Sequence, residues 1–168
     1  MSFFSMFKVP QRYLPKSLSP TDRAKQARSL RRSRGDYKRG RYTRRAPVAS
    51  FKSKPSGHVA AAKQLYGVDS LTPGPQLARA TGCSVGALRA IVKKGEGAFY
   101  SSGSRPNQTP QSWGLARLGS AITGSKAAAV DYDILERGCG RSSRALSRAR
   151  SARRKYGHGQ GATRKTRL

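Results

Sequence analysis

Acidic residues, cysteines, histidines and long apolar runs are all scarce in this chain of 168 residues. Seven Asp and Glu stand against 35 Lys and Arg, so the formal net charge is +28 at neutral pH. A charge of this size repels itself in a compact monomer and predicts a polyanionic or acidic partner. No apolar run approaches the roughly 20 residues that cross a bilayer, so we expect no membrane span.

The few reactive side chains do not form a recognisable catalytic or metal-binding set. Two cysteines are too few for a disulfide scaffold or a cysteine-based zinc site, and neither Cys83 nor Cys139 has an assignable histidine partner. Asp133 and Glu136 share one face of a predicted helix, but nothing nearby completes an acid–base site, and neutralising neighbouring arginines is the better interpretation. We therefore predict no enzymatic activity, no metal, no cofactor and no small-molecule substrate.

Positive charge is concentrated towards the two ends of the chain. Residues 8–54 carry 16 basic and 2 acidic groups, residues 55–140 carry 9 and 5, and residues 141–168 carry 10 and none. Because most aliphatic residues lie in the middle, we predict a basic extended arm with one helix at 1–55 and a small helical core domain at 56–140. Residues 141–168 are predicted to form a basic helix and tail. The predicted fold class is mainly α, with about four to six short helices in the core and long extended basic arms at both termini.

Local signals at the N-terminal side predict one polar helix followed by a linker. Ser19 is a candidate N-cap with Pro20 in the first turn, and Gly35 is expected to stop the helix after Arg34. A helix with so few apolar residues rarely stands alone, so we expect it to become ordered when its basic side meets a partner. Residues 35–55 are interpreted as a basic linker.

The segment around residues 72–94 predicts a helix-turn-helix-like hairpin. A helix from about Pro75 to Ala80 would end at Gly82, and Ser84 would cap a second helix that reaches Lys94. In DNA-binding proteins with this layout the second helix enters the major groove, and Arg89 is the plausible base-reading residue here. The alternative interpretation is a helical hairpin that packs a small core or docks on protein.

The following segments carry further helix and turn signals. Ser101–Ser104, with Gly103 and the neighbouring Arg105, predict a nest for an anion. Helices are predicted from Thr109–Pro110 to about Thr123 and from Gly124–Ser125 to Gly138. A basic helix is predicted over 141–154.

Cations and aromatic residues are the candidate binding groups. The cations predicted to contact a polyanion or an acidic protein surface are Arg28, Arg31, Arg32, Arg34, Arg39, Arg41, Arg44, Arg45, Arg89, Lys93, Lys94, Arg105, Arg141, Arg144, Arg148, Arg153 and Arg154. The predicted aromatic anchors are Phe3, Phe4, Phe7, Tyr13, Tyr37, Tyr42 and Trp113. Aromatic residues between cations suit base stacking, and they equally suit anchoring an arm in pockets of a protein.

One block of the sequence resembles a known family. Its residues are Lys94-Gly95, Tyr100-Ser-Ser-Gly-Ser-Arg-Pro-Asn-Gln-Thr-Pro-Gln-Ser-Trp113, Ala116-Arg117-Leu118, Ile122-Thr123-Gly124, Lys126-Ala-Ala-Ala-Val-Asp-Tyr132 and Ile134-Leu135. They resemble an uncharacterised basic domain family of large double-stranded DNA viruses, of the giant-virus and phycodnavirus kind, and of some phages. Val9 to Ser19, Phe51 to Lys54 and Tyr66 to Asp69 resemble the same family. The resemblance implies a viral context and assigns no activity or residue roles.

Together these observations predict a non-enzymatic structural virion protein of a large double-stranded DNA virus. The preferred hypothesis is a minor capsid protein whose basic arms bridge or cement capsid subunits by binding acidic surfaces of virion proteins. The alternative is a virion DNA-binding or genome-packaging protein that uses the arms and the hairpin on phosphates. The expected location is the capsid or its interior, and the host cytoplasm or nucleus during assembly.

Overall fold

A computed structural model describes residues 7–159, 161 and 163–168 of the chain. These residues form eight α-helices and one short antiparallel ribbon, so the predicted mainly α fold class is confirmed. The elements in chain order are β1 (Lys8–Pro10), a 3-10 turn (Gln11–Tyr13), α1 (Pro20–Lys38), α2 (Gly57–Tyr66), α3 (Pro75–Thr81), α4 (Val85–Ser101), α5 (Pro110–Ile122), α6 (Lys126–Val130), α7 (Tyr132–Gly138), α8 (Arg144–Tyr156) and β2 (Lys165–Arg167).

The chain divides into two compact units. Unit 1 consists of Met1–Lys54, Gly97–Pro110 and Ala162–Leu168, and unit 2 consists of Pro55–Glu96 and Gln111–Gly161. Unit 2 begins at Pro55, next to the predicted boundary, but the predicted core domain at 56–140 is not one unit, because Gly97–Pro110 belongs to unit 1. The predicted C-terminal segment is divided as well, since the basic helix α8 belongs to unit 2 and Ala162–Leu168 belongs to unit 1.

Unit 1 is built from the segments predicted to be extended arms. β1 pairs with β2 in the antiparallel register Lys8↔Arg167, Val9↔Thr166 and Pro10↔Lys165. The ribbon was not expected, because three-residue strands offer no apolar alternation to detect. Its inward residue Val9 is buried, as are side chains on the 3-10 turn, α1 and the end of α4. The apolar residues buried in this unit are Val9, Tyr13, Leu14, Leu18, Leu30, Val48 and Phe99.

Helix α1 begins as predicted and ends one turn later than predicted. The Ser19 hydroxyl accepts a hydrogen bond from the Asp22 amide, and Pro20 occupies the first turn. Gly35 does not stop the helix, which continues to Lys38 and is followed by Gly40 in the left-handed region with φ 77°. The expectation that Gly35 ends the helix is therefore wrong. The left-handed conformation that terminates a helix occurs at the next glycine along the chain.

Unit 2 contains α2, α3, most of α4 and of α5, and α6 to α8. Ser56 caps α2 through its hydroxyl, and Gly67 ends the helix with a left-handed φ of 62°. The predicted hairpin is also present, since α3 ends at Gly82 with φ 75° and α4 begins three residues later. The buried core residues include Ala62, Leu71, Leu77, Leu88, Ile91, Leu118, Ile122, Ala128, Ala129, Leu135, Leu146 and Ala149.

Glycines inside α4 and α5 allow close helix packing. A Cβ added at Gly95 would lie 2.6 Å from Gly114 Cα, and one at Gly114 would lie 2.7 Å from the Val92 carbonyl oxygen. Helix α4 was expected to end at Lys94, and this expectation is wrong because Gly95 serves the contact with α5 rather than a helix stop. The helix consequently runs on to Ser101.

Helix α8 packs into unit 2 instead of standing apart as a basic segment. Its N-cap is Ser143, whose hydroxyl accepts from the Leu146 amide, and it packs against α6 and α7. Ala145, Leu146, Ala149 and Ala152 are buried on its inner side. These residues form a narrow apolar stripe along the helix. Because arginines surround the stripe in the sequence, dividing the chain by composition assigns the whole helix to a basic tail.

A disulfide joins Cys83, in the turn of the α3–α4 hairpin, to Cys139 after α7. The two residues also form an isolated antiparallel bridge, and the Ser84 amide donates to the Gly138 carbonyl at 2.7 Å. This pairing was not predicted from the sequence. It fixes the hairpin turn to the C-terminal end of α7.

Candidate nucleic-acid interface

The outward side of α1 carries a row of exposed cations. Its inward side buries polar groups that are satisfied within unit 1, since Gln26 Nε2 donates to the Tyr13 carbonyl and Ser33 Oγ to the Tyr100 carbonyl, each at 3.2 Å. The inward side of α1 therefore has hydrogen-bond partners within unit 1, and ordering of the helix by a partner stays a prediction. We call the outward cations the basic face of α1; they are Lys25, Arg28, Arg31, Arg32, Lys38 and Arg39, and all are exposed.

The two carboxylates of unit 1 are used to hold the loop that follows α1. Asp22 Oδ2 accepts from the amide and the hydroxyl of Ser50, at 2.9 and 2.6 Å. Asp36 accepts from the Thr43 hydroxyl and from Arg39, and these hydrogen bonds lower the pKa of the Asp36 carboxyl. The predicted linker at 35–55 is therefore fastened along α1 at both ends of the helix. Unit 1 contains 20 Lys and Arg but only 2 Asp and Glu, so its surface keeps a large cationic excess.

Arg45 is a structural residue rather than a surface cation. Its guanidinium donates to Ser33 Oγ at 2.9 Å, to the Phe99 carbonyl at 2.6 Å and to Ser104 Oγ at 2.7 Å. It also lies 3.9 Å from the centroid of the Phe99 ring. Burial lowers the pKa of Arg45 to about 10, so the guanidinium stays charged at neutral pH. The prediction that Arg45 contacts a polyanion is corrected, because its donors already bind internal acceptors.

Two of the predicted aromatic anchors are exposed beside this surface. Tyr42 is 70% exposed and Tyr37 is 37% exposed, and their rings meet edge to face at 6.1 Å. Tyr42 also contacts the Tyr100 ring at 5.2 Å. Tyr13, by contrast, is buried in unit 1, and Phe7 lies under the Arg34 guanidinium at 3.7 Å. Trp113 is half-buried in unit 2, while Phe3 and Phe4 lie outside the described residues.

The hairpin in unit 2 exposes a second, smaller set of cations. Arg89 and Lys93 are exposed on α4, one turn apart, while Leu88 and Ile91 face the core. Gly138 packs against the start of α4, where an added Cβ would lie 2.3 Å from Ala87 Cβ. The hairpin thus has the predicted layout, with the end of α7 placed against the N-terminal turn of its second helix.

The remaining predicted cations are distributed over both units. Those that are exposed are Arg41, Arg44 and Arg105 in unit 1, and Arg141, Arg144, Arg148 and Arg154 in unit 2. Arg153 is half-buried, with its guanidinium 5.1 Å from the Tyr132 ring and a hydrogen bond to the Ala129 carbonyl. Arg144 and Arg148 flank the alanine stripe of α8, and Arg154 lies on the other side of the helix.

Lys94 belongs to a buried ion-pair group that the sequence did not reveal. The Asp131 carboxylate is fully buried between α6 and α7, where it interrupts the single helix predicted from Ser125 to Gly138. Arg117 donates to it through Nε at 2.7 Å and Nη2 at 2.8 Å, and Lys94 Nζ at 2.9 Å. Burial alone raises the pKa of Asp131, but these donors outweigh it and hold the pKa below the ordinary value. Lys94 therefore stabilises the fold of unit 2, and the prediction that it contacts a polyanion or an acidic surface is corrected.

Within the described ranges, no group of three or more His, Cys, Asp or Glu side chains is arranged to hold a metal ion. Over the same residues, no helix is long and apolar enough to cross a membrane.

The model of DUF5824, described as a family of unknown function, matches residues 10–136 of the chain. That span covers about three quarters of the 168 residues. The chain belongs to the DUF5824 family. The DUF5824 match includes α1 to α6 and most of α7, with Asp131 and Arg117, whereas Cys139, α8 and β2 follow it. No curated protein and no solved structure matches the chain.

Proposed function

We propose that this DUF5824 protein is a non-enzymatic virion protein of a large double-stranded DNA virus that binds the packaged genome through its phosphate backbone. The observation that carries the proposal is the basic face of α1, a row of exposed cations on a helix whose inward side is already satisfied. Lys25, Arg32 and Arg39 also bind Pro47 or Asp36 within unit 1, so the charge most available to a partner is that of Arg28, Arg31 and Lys38.

The dimensions of α1 suit a nucleic-acid backbone. The helix has 19 residues, which corresponds to a length of about 28 Å. The basic face runs from Lys25 to Arg39, or about 21 Å of this length. One strand of B-DNA carries a phosphate about every 3.4 Å along the axis, so the basic face spans roughly six phosphates. Arginine predominates in the row, and its planar fork binds phosphate oxygens in pairs. Backbone binding of this kind carries no sequence information of its own.

The virion context has two supports. The sequence resembles a family of large DNA viruses and phages, and the Cys83–Cys139 disulfide suits a protein that spends part of its life outside a reducing cytosol. We place the protein in the capsid or its interior, after assembly in the host cytoplasm or nucleus.

A titration of labelled duplex DNA at several salt concentrations tests the proposal. The triple variant Arg28→Gln/Arg31→Gln/Lys38→Gln removes half of the basic face of α1 and should lower the slope of log K against log salt by up to about 2.7, at about 0.9 for each phosphate contact. Two duplexes of unrelated sequence should bind with similar affinity, because phosphates are the contacts.

The matched control is Lys16→Gln/Lys52→Gln/Lys54→Gln, which removes the same charge from exposed positions off α1. The control should keep most of the wild-type slope. Absence of wild-type binding at about 0.1 M salt would contradict the proposal. Equal losses in the two triple variants would show that net charge, and not the basic face of α1, determines binding.

A second candidate is the minor capsid protein preferred on sequence grounds, which would cement capsid subunits through acidic protein surfaces. The exposure of Tyr42 and Tyr37 favours it, since aromatic side chains flanked by arginines are typical of anchors at protein interfaces. Two observations argue against the minor capsid candidate: Tyr13 is buried, and the two terminal segments pair with each other in unit 1. Both leave a shorter extended segment that could bridge capsid subunits. Retention of the chain in capsid shells after nuclease treatment and high-salt removal of DNA would support this candidate over genome binding.

A further inference from the structure

Unit 1 contains a cleft of about 330 Å³ that brings cations from three separate segments together. Lys8 comes from β1, Arg34 from α1 and Lys165 from β2, and the hydroxyl residues Ser101 and Ser102 line the same cleft. None of the described residues that line it is acidic. The cleft uses none of the six side chains of the basic face of α1, although its half-buried Arg34 lies one helical turn from Arg31 and from Lys38.

The ribbon beside the cleft places like charges opposite one another. The Leu168 amide donates to the Phe7 carbonyl at one end of the ribbon, and the Gln11 amide donates to the Arg164 carbonyl at the other. Each of these hydrogen-bonded pairs is two residues along the strands from the Val9–Thr166 pair. Hydrogen-bonded and non-hydrogen-bonded pairs alternate in an antiparallel ladder, so Lys8 and Arg167 form a non-hydrogen-bonded pair, where side chains approach most closely. Like charges directly opposite each other destabilise a ribbon. An anion bound in the cleft beside Lys8 offsets part of this repulsion.

Neighbouring side chains hold the lining groups in place. The Arg34 guanidinium lies over the Phe7 ring at 3.7 Å, a cation–π contact that fixes its direction. Gly103 has φ 105°, and a Cβ there would lie 2.8 Å from Leu30 Cδ2 and 3.2 Å from Tyr13 Cδ2. The chain after α4 therefore packs closely on Tyr13, which keeps Ser101 and Ser102 beside the ribbon.

We propose that this cleft is a binding site for a phosphomonoester group. Three converging cations match a phosphate that carries up to two negative charges near neutral pH better than a backbone diester that carries one. The volume lies at the lower end of the range for small-ligand sites, which suits a terminal or free phosphate rather than the middle of a duplex. The phosphate can belong to a mononucleotide or to the 5′ end of a polynucleotide. This site goes beyond the proposed backbone binding and uses different residues.

The first test is a calorimetric titration with inorganic phosphate and with adenosine 5′-monophosphate at constant ionic strength. The double variant Lys8→Gln/Lys165→Gln should bind each probe about tenfold more weakly or worse, as expected for the loss of two charged donors. The control Lys16→Gln/Lys52→Gln removes equal charge outside the cleft and should bind like the wild type. Equal weakening in both double variants would overturn the proposal, because phosphate would then act as a general counterion.

A thermal measurement separates lost binding from lost folding. In phosphate-free buffer Lys8→Gln should unfold at a temperature no lower than the wild type, because the repulsion with Arg167 is removed. Phosphate should raise the unfolding temperature of the wild type and leave that of Lys8→Gln/Lys165→Gln almost unchanged. A phosphate-induced rise of the same size in both proteins would contradict the site.

Single-stranded oligonucleotides of one sequence, with a 5′-phosphate or a 5′-hydroxyl, distinguish the two sources. Preference for the 5′-phosphate that is lost in Lys8→Gln/Lys165→Gln supports a polynucleotide end. Equal binding of both oligonucleotides, together with tight binding of the mononucleotide, supports a free phosphorylated ligand. Duplex binding should be unchanged in the cleft variant, so failure of genome binding and failure of this site give different results.

Discussion

Reducing or removing the Cys83–Cys139 disulfide should strongly destabilise unit 2. The bond closes a loop across 56 residues that contains the second helix of the hairpin, α5, α6 and α7. The loop-closure relation gives an entropy loss in the unfolded chain of about 14 cal/mol/K for a loop of this length, or about 4 kcal/mol at 25 °C. That magnitude is a large part of the stability of an ordinary domain.

Urea unfolding followed by tryptophan fluorescence measures the effect in the right place, because Trp113 is the single tryptophan and lies in unit 2. With a urea dependence of about 1–2 kcal/mol/M, a reductant should lower the midpoint by about 2–4 M. The variant Cys83→Ala/Cys139→Ala should unfold near the reduced midpoint and ignore the reductant. Two titratable thiols in the oxidised, folded protein, or a reductant-induced shift below about 0.5 M in the wild type, would refute the reasoning.

Two further predictions concern unit 2. Gly95→Ala should destabilise the protein by about 1–3 kcal/mol in urea unfolding, because the new Cβ would lie 2.6 Å from Gly114 Cα. The control Gly97→Ala, in the same helix, places its Cβ in open space and should stabilise the protein by up to about 1 kcal/mol. Equal effects of the two variants would contradict the packing role of Gly95. Asp131→Asn should cost about 2–3 kcal/mol, since the half-exposed Lys94 recovers some hydration and the more buried Arg117 recovers less. Asp133→Asn, at an exposed position, should cost almost nothing. Because the pKa of Asp131 is lower in the folded than in the unfolded protein, its contribution to the free energy of unfolding is complete above the unfolded value of 3.8 and is lost as the pH falls through the folded value. Acid titration of the wild type should therefore show a loss of stability below pH 3.8 that Asp131→Asn lacks.

Signals that act within one turn of the chain were predictable from the sequence. Ser19, Ser56 and Ser143 cap helices through their own hydroxyls, and Gly67 and Gly82 adopt the left-handed conformation that ends a helix. In each case the residue and its hydrogen-bond partner are a few positions apart, so the physical cause is visible locally.

Glycines with distant partners were not predictable in the same way. Gly95, like Gly82, follows a predicted helix in the sequence, yet it lies inside α4 because a Cβ at this position would collide with Gly114 of α5. The Asp131 group likewise depends on Arg117 and Lys94, which are 14 and 37 residues away. A sequence shows the residue type but not the element that will pack against it.

The basic segments show why composition alone misjudges order. A chain with few apolar residues and a high charge is expected to stay unfolded, yet residues 7–54 bury a small core and fasten their loop with two carboxylates. Asp22 and Asp36 bind Ser50 and Thr43, so the scarce acids act as clamps and neutralise little of the surrounding charge. Half of the basic face of α1 has partners within the unit, since Lys25 donates to the Pro47 carbonyl and Arg32 and Arg39 pair with Asp36, whereas repulsion among Arg28, Arg31 and Lys38 opposes folding. A charge that opposes folding and is kept on one exposed helix face is better explained by what it binds than by what it supports.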